Sequence, residues 1–377
     1  MEKAKSKEIK IKRIIIISIL VMLVIAVFVF LIYEVFFADI LGIFKKNKNQ
    51  NPIEGNVTYV NETVDNNDMD NTINNQQPNE NINISQIDHY YYNQLDDNSK
   101  VIYAEILNNI EKIKSGEDYI KISSKLSSLA RKENMNDELM NAFQNAWDAF
   151  RNDNVDIFYI DGSKMCLVTK TIKRGSKTTY EFYISKGQNS NYLINGLNSA
   201  EDVTKANNFV EQKENEILNS ITEKNDYYKI VKAHNWIVDN LEYNMQESSD
   251  NANIYGALKN KTVVCEGYAR LFKSLMDKMN IPCVLVSGEG IDIDTGSREN
   301  HAWNYVYLHG EWYAIDTTWD DPVIIGDGKV NQDIKYKYFL LGSNIFFKTH
   351  IEDGKLADNG MKFVYPILSK EDYIKEK

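Results

Sequence analysis

The chain is 377 residues long, with 43 Lys+Arg against 54 Asp+Glu and a formal charge of −11 at pH 7. Six Lys/Arg and two acids fall in the first thirteen residues, so the rest is more acidic still, which excludes the cationic face that nucleic acid requires. Three cysteines are too few for a disulfide scaffold and odd in number, so at least one thiol is free or pairs with another chain.

The mean hydropathy of −0.44 suits a soluble protein, yet residues 14–33 form one continuous apolar run in which Ser18 is the single clearly polar member. About 20 apolar residues cross about 30 Å of hydrocarbon as a helix, so residues 14–37 are read as a single-pass anchor in the lipid bilayer. Large residues follow the run (Glu34-Val-Phe-Phe37), where a signal peptidase needs small ones. Six basic residues precede the span, and only Lys45, Lys46 and Lys48 follow it closely. That bias puts residues 1–13 in the cytoplasm and the C-terminal part outside the cell. Residues 38–86 read as a disordered, Asn-rich linker, because they hold too few large apolar side chains to offset chain entropy.

Order is predicted from Ile87 onward. Asp97 or Asn98 caps a helix with Tyr103, Leu107 and Ile110 on one face, ending near Ser115-Gly116. Helices are expected over 119–130 and 137–150. The period then becomes two over 155–160, 165–173 and 178–185, with Arg174-Gly175-Ser176 turning the last two into a hairpin. No titratable cluster stands out, and residues 87–198 are read as an accessory helical plus β-hairpin domain.

Ser199-x-x-Asp202 is a capping box opening a helix toward Ser220, and another helix covers 226–240. Tyr227, Ile230, His234, Ile237 and Leu241 share one stripe, which makes His234 a core or boundary residue. Val264-Cys265-Glu266-Gly267 leads into a third helix, which Asn280-Ile281-Pro282 ends. Cys265 sits in its first turn, where free N–H groups and the helix dipole stabilise a thiolate. Residues 283–287 form a short buried strand. Beyond a Gly-containing loop, 301–308 and 311–316 make a hairpin about His309-Gly310. With Leu308 opposite Glu311 and Trp303 opposite Asp316, His301 shares a face with Asp316, as diagonal neighbours with Cα atoms about 7–8 Å apart. A one-residue slip would separate them.

A thiol at a helix start, a histidine, and an acid that orients the histidine are the parts of nucleophilic catalysis. His301 would take the thiol proton and return it to a leaving group, and Asp316 would fix the imidazole tautomer. The competing reading is a surface hairpin with an incidental His and Asp, which His309 fits as a turn-tip residue. Cys166 and Cys283 read as small buried residues.

These motifs resemble, in order, those of the transglutaminase-like superfamily of papain-related cysteine enzymes. Val264-Cys265-Glu266-Gly267-Tyr268-Ala269 is similar to its nucleophile motif, and Gly288 through His301-Ala302-Trp303-Asn304 to its histidine strand. Trp312-Tyr313-Ala314-Ile315-Asp316-Thr317-Thr318-Trp319-Asp320-Asp321-Pro322 is similar to its aspartate strand. Asn240-Leu241-Glu242-Tyr243, Tyr255-Gly256-Ala257-Leu258 and Tyr338-Phe339-Leu340 resemble bacterial members, so the likeness covers about residues 201–350.

The resemblance implies an α+β, papain-like core over 199–377, with the nucleophile-bearing helix packed on an antiparallel sheet. It implies Cys265, His301 and Asp316 as a triad, working without a cofactor through a thioester on Gln side-chain or peptide amides of protein or cell-wall peptide substrates. A side-chain oxyanion donor is usual. Tyr255 is the residue considered for it, with structural packing as its competing role. Asp292, Asp294 and Glu299 near the site hint at a cation, as in calcium-dependent animal members. They lack an EF-hand pattern and no Cys/His spacing suits a metal, so they read as a solvated loop. A catalytically idle domain serving as a cell-surface binding or assembly module is the alternative reading.

Overall fold

Two four-stranded sheets and the helices packed on them organise the described residues. The computed structural model describes residues 57–65, 89–244, 251–293, 295–321, 334–357 and 360–375. The expected cytoplasmic end and anchor lie outside these residues, as do most of the expected linker, Asp294 and Pro322. Among the described residues, no helix is long and apolar enough to cross a membrane.

The first sheet places its strands in the order Thr58–Asp65, Cys166–Arg174, Lys177–Ser185 and Ile120–Ile122. Its hairpin, β3 (Cys166–Arg174) and β4 (Lys177–Ser185), pairs Arg174 with Lys177 across the expected turn. β1 (Thr58–Asp65) lies parallel to β3, with Thr58 opposite Cys166. This corrects the linker expectation for these eight residues. Thr58, Tyr59, Val60 and Thr63 are β-branched or aromatic and fit a pleated edge. Averaging over a long Asn-rich tract hides so short a strand.

Asp96 accepts hydrogen bonds from the Asn98 and Ser99 N–H groups, capping α1 (Asp97–Asn108) one residue earlier than expected. α2 (Ile110–Ser115) ends at Gly116, whose φ of 75° suits a glycine C-cap. The helix expected over 119–130 is instead β2 (Ile120–Ile122) and a 3₁₀ helix (Ser124–Arg131). Ile120 and Ile122 point inward on either side of Lys121, a period of two too short to register beside the following apolar residues. α3 (Met135–Asp153) follows. Residues 155–160 form no strand, and only Ile160 bridges to Leu193.

In the second half, Ser199 caps α4 (Ala200–Ser220), followed by α5 (Asp226–Asn240). Then come β5 (Glu242–Tyr243), α6 (Ile254–Asn260), β6 (Thr262–Val263) and α7 (Cys265–Lys278). β7 (Cys283–Ile291), β8 (Arg298–Leu308) and β9 (Glu311–Ile315) precede α8 (Ser343–Phe346) and β10 (His350–Glu352). The antiparallel order is β10-β7-β8-β9, with α7 packed on β7 and β8. His309 and Gly310 both have positive φ, 51° and 95°, the geometry of a two-residue hairpin turn. That turn fixes Leu308 opposite Glu311, the register the sequence predicts.

The fold class is α+β, but the expected boundary at 198/199 is not a gap in the packing. The described residues of 51–377 form one compact unit, with buried side chains continuous from Tyr91 and Phe150 to Trp303 and Tyr365. Polar contacts cross the expected boundary as well. Arg270 on α7 donates to the Arg151 carbonyl at 2.6 Å and to Asn152 at 3.0 Å, and the Tyr91 hydroxyl donates to the Leu285 carbonyl.

Candidate active site

Cys265 is the first residue of α7, following Val264 in extended conformation. Its side chain is 7% exposed and sits among Ala269, Leu285 and Ala302. Gly267 allows the chain to close over this turn, since a Cβ there would lie 2.7 Å from the Asn251 carbonyl oxygen. Asn304 on β8 donates to the Ala269 carbonyl at 3.0 Å, fastening the helix start to the strand that carries His301.

His301 lies opposite Gly288 in the β7–β8 ladder, and Asp316 follows β9 directly. The two meet through His301 Nε2 and Asp316 Oδ2, 2.7 Å apart. With Nε2 engaged, Nδ1 is the remaining ring nitrogen, and Cys265 is among the groups that raise the proton affinity of His301. Asp316 Oδ1 accepts from the Thr318 and Trp319 N–H groups at 2.9 and 3.1 Å. Burial alone would lower the His301 pKa, but the Asp316 charge and hydrogen bond, with Cys265, hold it well above its ordinary value. Burial likewise pushes Asp316 up, yet His301 and a hydrogen bond from His350 hold it well below the carboxylate range. A histidine and a carboxylate shifted apart in this way favour the imidazolium–carboxylate pair.

The family model described as the transglutaminase-like superfamily matches residues 215–317, a stretch that includes Cys265, His301 and Asp316. These residues belong to the transglutaminase-like superfamily. The chain is similar to the kyphoscoliosis peptidase of Mus musculus, 27% identical over 37% of this chain and 23% of the relative. It is 33% identical to that of Homo sapiens, over 30% of this chain and 18% of the relative. The chain thus spans less than a quarter of the length of these curated relatives. A solved TGase structure aligns over 49% of this chain and 51% of its own, at 13% identity and a TM-score of 0.28.

The contacts of Tyr255 are not with Cys265, His301 or Asp316. On α6, its ring stacks on Phe158 and meets Phe209 edge-on, with centroids 5.5 and 6.0 Å apart. Its hydroxyl accepts from Lys259 Nζ at 3.0 Å, at an exposed position. The oxyanion expectation is corrected to packing, which the Phe158–Tyr255–Phe209 stack accounts for. Tyr255→Phe keeps that stack, so thiol-dependent turnover is expected to stay within about twofold and stability within about 0.5 kcal/mol. Steady-state kinetics and urea denaturation check both.

His234 is fully buried, and its Nε2 lies 2.9 Å from Asp320 Oδ2. Burial pushes Asp320 up to about 6, opposed by the hydrogen bond and charge of His234. Asp320 Oδ1 accepts from Tyr338 N–H at 2.7 Å, while the Tyr338 carbonyl accepts from Asp316 N–H at 3.0 Å. His234 therefore braces the turn that carries Asp316, consistent with its core reading.

Trp319 stacks on His301 with centroids 5.0 Å apart and forms one wall of a cleft of about 630 Å³. Gly290 leaves the space that this indole fills, as a Cβ there would lie 2.6 Å from it. Tyr243, Ile291 and Tyr338 line the cleft with the acids Asp292, Glu299 and Asp321. Asp292 Oδ1 accepts from Thr295 N–H at 2.9 Å, shaping the β7–β8 turn.

The sequence offered no signal for His350, which lies 34 residues beyond Asp316 and outside any periodic stripe. Its Nε2 reaches Asp316 Oδ2 at 3.0 Å. Among the described residues, the donor atoms of His301, Asp316 and His350 form a set within 4.8 Å of one another. Asp316 Oδ2 already stands between the two Nε2 atoms, so these donors are joined to each other by hydrogen bonds.

Proposed function

We propose that the chain is a thiol-dependent acyltransferase or hydrolase acting on Gln side-chain or peptide amides of proteins or cell-wall peptides. The observation that carries this reading is that His301 is bonded to Asp316 at 2.7 Å and has its proton affinity raised by Asp316 and by Cys265. The Cys265 thiol gives its proton to His301, and the thiolate attacks the amide carbonyl. The backbone N–H of Cys265, which opens α7 ahead of its first intrahelical hydrogen bonds, would face the developing oxyanion. The C–N bond breaks as the imidazolium protonates the leaving ammonia or amine, leaving a Cys265 thioester. An amine or water then attacks the thioester, His301 takes the proton of the incoming nucleophile, and the thiol is restored. Crosslinking, deamidation or proteolysis follows according to that acceptor. In this proposal residues 14–37 anchor the protein in the cell membrane, with residues 1–13 cytoplasmic and the transglutaminase-like domain outside.

The full chain, beside its Cys265→Ala variant, is tested for labelled-amine incorporation into a glutamine-rich protein, ammonia release and peptide-bond cleavage. Wild type is expected to turn over in at least one assay, and the variant to fall by about 10⁴-fold or more. Activity that survives in Cys265→Ala removes Cys265 from the mechanism. Wild-type inactivity in all three assays favours the idle-module reading. Protease digestion of intact cells checks topology, since the C-terminal part should be cleaved from outside.

A further inference from the structure

Asp316 is shared by two histidines, and the second takes no part in the steps above. His350 is wholly buried at the start of β10, and its Nε2 bonds the same Oδ2 that His301 uses, at 3.0 against 2.7 Å. Its Nδ1 lies 2.8 Å from Thr349 Oγ1. The ring lies flat on Phe346, with centroids 3.9 Å apart, and tilts against Trp319 at 4.5 Å. In this apolar setting burial lowers the His350 pKa, outweighing the opposing pull of Asp316. A neutral ring has one N–H, and a carboxylate only accepts. That N–H therefore sits on Nε2 and points at Asp316, while Nδ1 faces the Thr349 hydroxyl, which also lies 3.3 Å from the Phe346 carbonyl.

We infer that His350 sets how firmly His301 keeps its proton, by donating to the Asp316 oxygen and drawing off charge that would otherwise act on His301. The inference rests on the proposed roles of Cys265, His301 and Asp316. A hydrogen bond to a carboxylate spreads its charge, so His301 feels less of it than a singly bonded Asp316 would exert. A cationic His350 would act in the same sense, by repelling a second positive ring. Two steps pull the tuning in opposite directions. Thiolate formation gains from an imidazolium that holds its proton tightly, whereas leaving-group protonation gains from one that releases it. His350 places His301 between these demands as a positioning residue. The ionisable groups around the pair are Asp316 and Asp320 from the turn after β9, Cys265 from α7 and Tyr338, and Asp320 is engaged by His234. Trp303, Trp319 and Phe346 close the remaining sides without charge.

The test is the pH profile of iodoacetamide alkylation of the full-length chain, resolved by cysteine. In His350→Phe, the alkaline step of the profile, where the imidazolium beside the thiolate loses its proton, is expected about half to one pH unit higher than in wild type. In His350→Gln, whose amide N–H reaches the Nε2 position, that step returns close to wild type. A merely structural role would loosen the Cys265–His301 pair and move the step downward. An unmoved or lowered alkaline step in His350→Phe overturns the inference, and so does a His350→Gln profile that matches His350→Phe. If His350→Phe fails to fold, His350→Asn, too short to reach Asp316, is read against His350→Gln by the same criteria. Wild-type Cys265 alkylating no faster than Cys283 at neutral pH would instead defeat the catalytic reading itself. Fast wild-type alkylation with an unmoved His350→Phe profile leaves that reading standing and removes only the role given to His350.

Discussion

Asp316→Asn is expected to lower turnover by about 10⁴-fold with Cys265 and His301 in place. Asp316 accepts on both oxygens, from two backbone N–H groups on Oδ1 and from two histidines on Oδ2. An amide has one oxygen. If it serves the Thr318 and Trp319 N–H groups, its NH₂ faces His301 Nε2, which must then carry no proton. The imidazole proton moves to Nδ1, toward Cys265, where it can no longer take the thiol proton. The substitution also changes how stability depends on pH. In wild type, Asp316 has its pKa depressed by His301 and His350, against the opposing effect of burial. Its contribution is present above its unfolded value of about 3.9 and is lost as pH falls through the folded value. His301 is raised, so its contribution is present below about 6.5 and is lost as pH rises through the folded value. Both are therefore complete between about pH 4 and 6.5, and Asp316→Asn should remove this maximum from urea-denaturation profiles.

Glu266→Ala is expected to destabilise the fold by about 3–5 kcal/mol, the largest effect on stability among these variants. Glu266 is next to Cys265 but faces the opposite way, into the seam between α3 and α7. Its Oε1 accepts from Arg270 Nε at 2.7 Å and from Arg151, and its side chain is 4% exposed. Burial would raise the Glu266 carboxyl, but the two guanidiniums hold it below its ordinary value. Truncation leaves two guanidinium groups facing each other with their shared anion gone. For a chain of this size the loss corresponds to about 10 °C in melting temperature. Thermal denaturation of Glu266→Ala beside Glu266→Gln measures it. The glutamine variant should be hurt less, because it keeps an acceptor in place.

How much of this was legible in the sequence follows from the range of each interaction. The α7 start, the β7–β8–β9 meander and the register bringing His301 to Asp316 are fixed by local signals. These are the break at Asn280-Ile281-Pro282, the period of two and the His309-Gly310 turn. β1 and β2 were missed because each is short and draws its ladder from a distant partner, as Thr58 does from Cys166. Tyr255 was considered for the oxyanion because its neighbours resemble a family motif, but only packing against Phe158 and Phe209 reveals where the hydroxyl points. His350 and the Arg151–Glu266–Arg270 cluster depend on contacts between segments far apart in the chain. No spacing rule reaches them. The merging of the two expected folded domains has the same origin, since it rests on where α3 meets α7.

The account stands on Cys265 being activated by His301, and alkylation rates test this most directly. Cys265, Cys166 and Cys283 are 7%, 9% and 7% exposed, so access alone would make their rates similar. Burial pushes the Cys283 thiol well up, which makes it a slow internal reference. At pH 7, Cys265 in the full-length chain is expected to react with iodoacetamide at least tenfold faster than either of the others, because the thiolate is the reactive form and His301 takes its proton. In His301→Ala its rate should fall to theirs. A Cys265 rate equal to theirs in wild type, or unchanged in His301→Ala, would contradict the account.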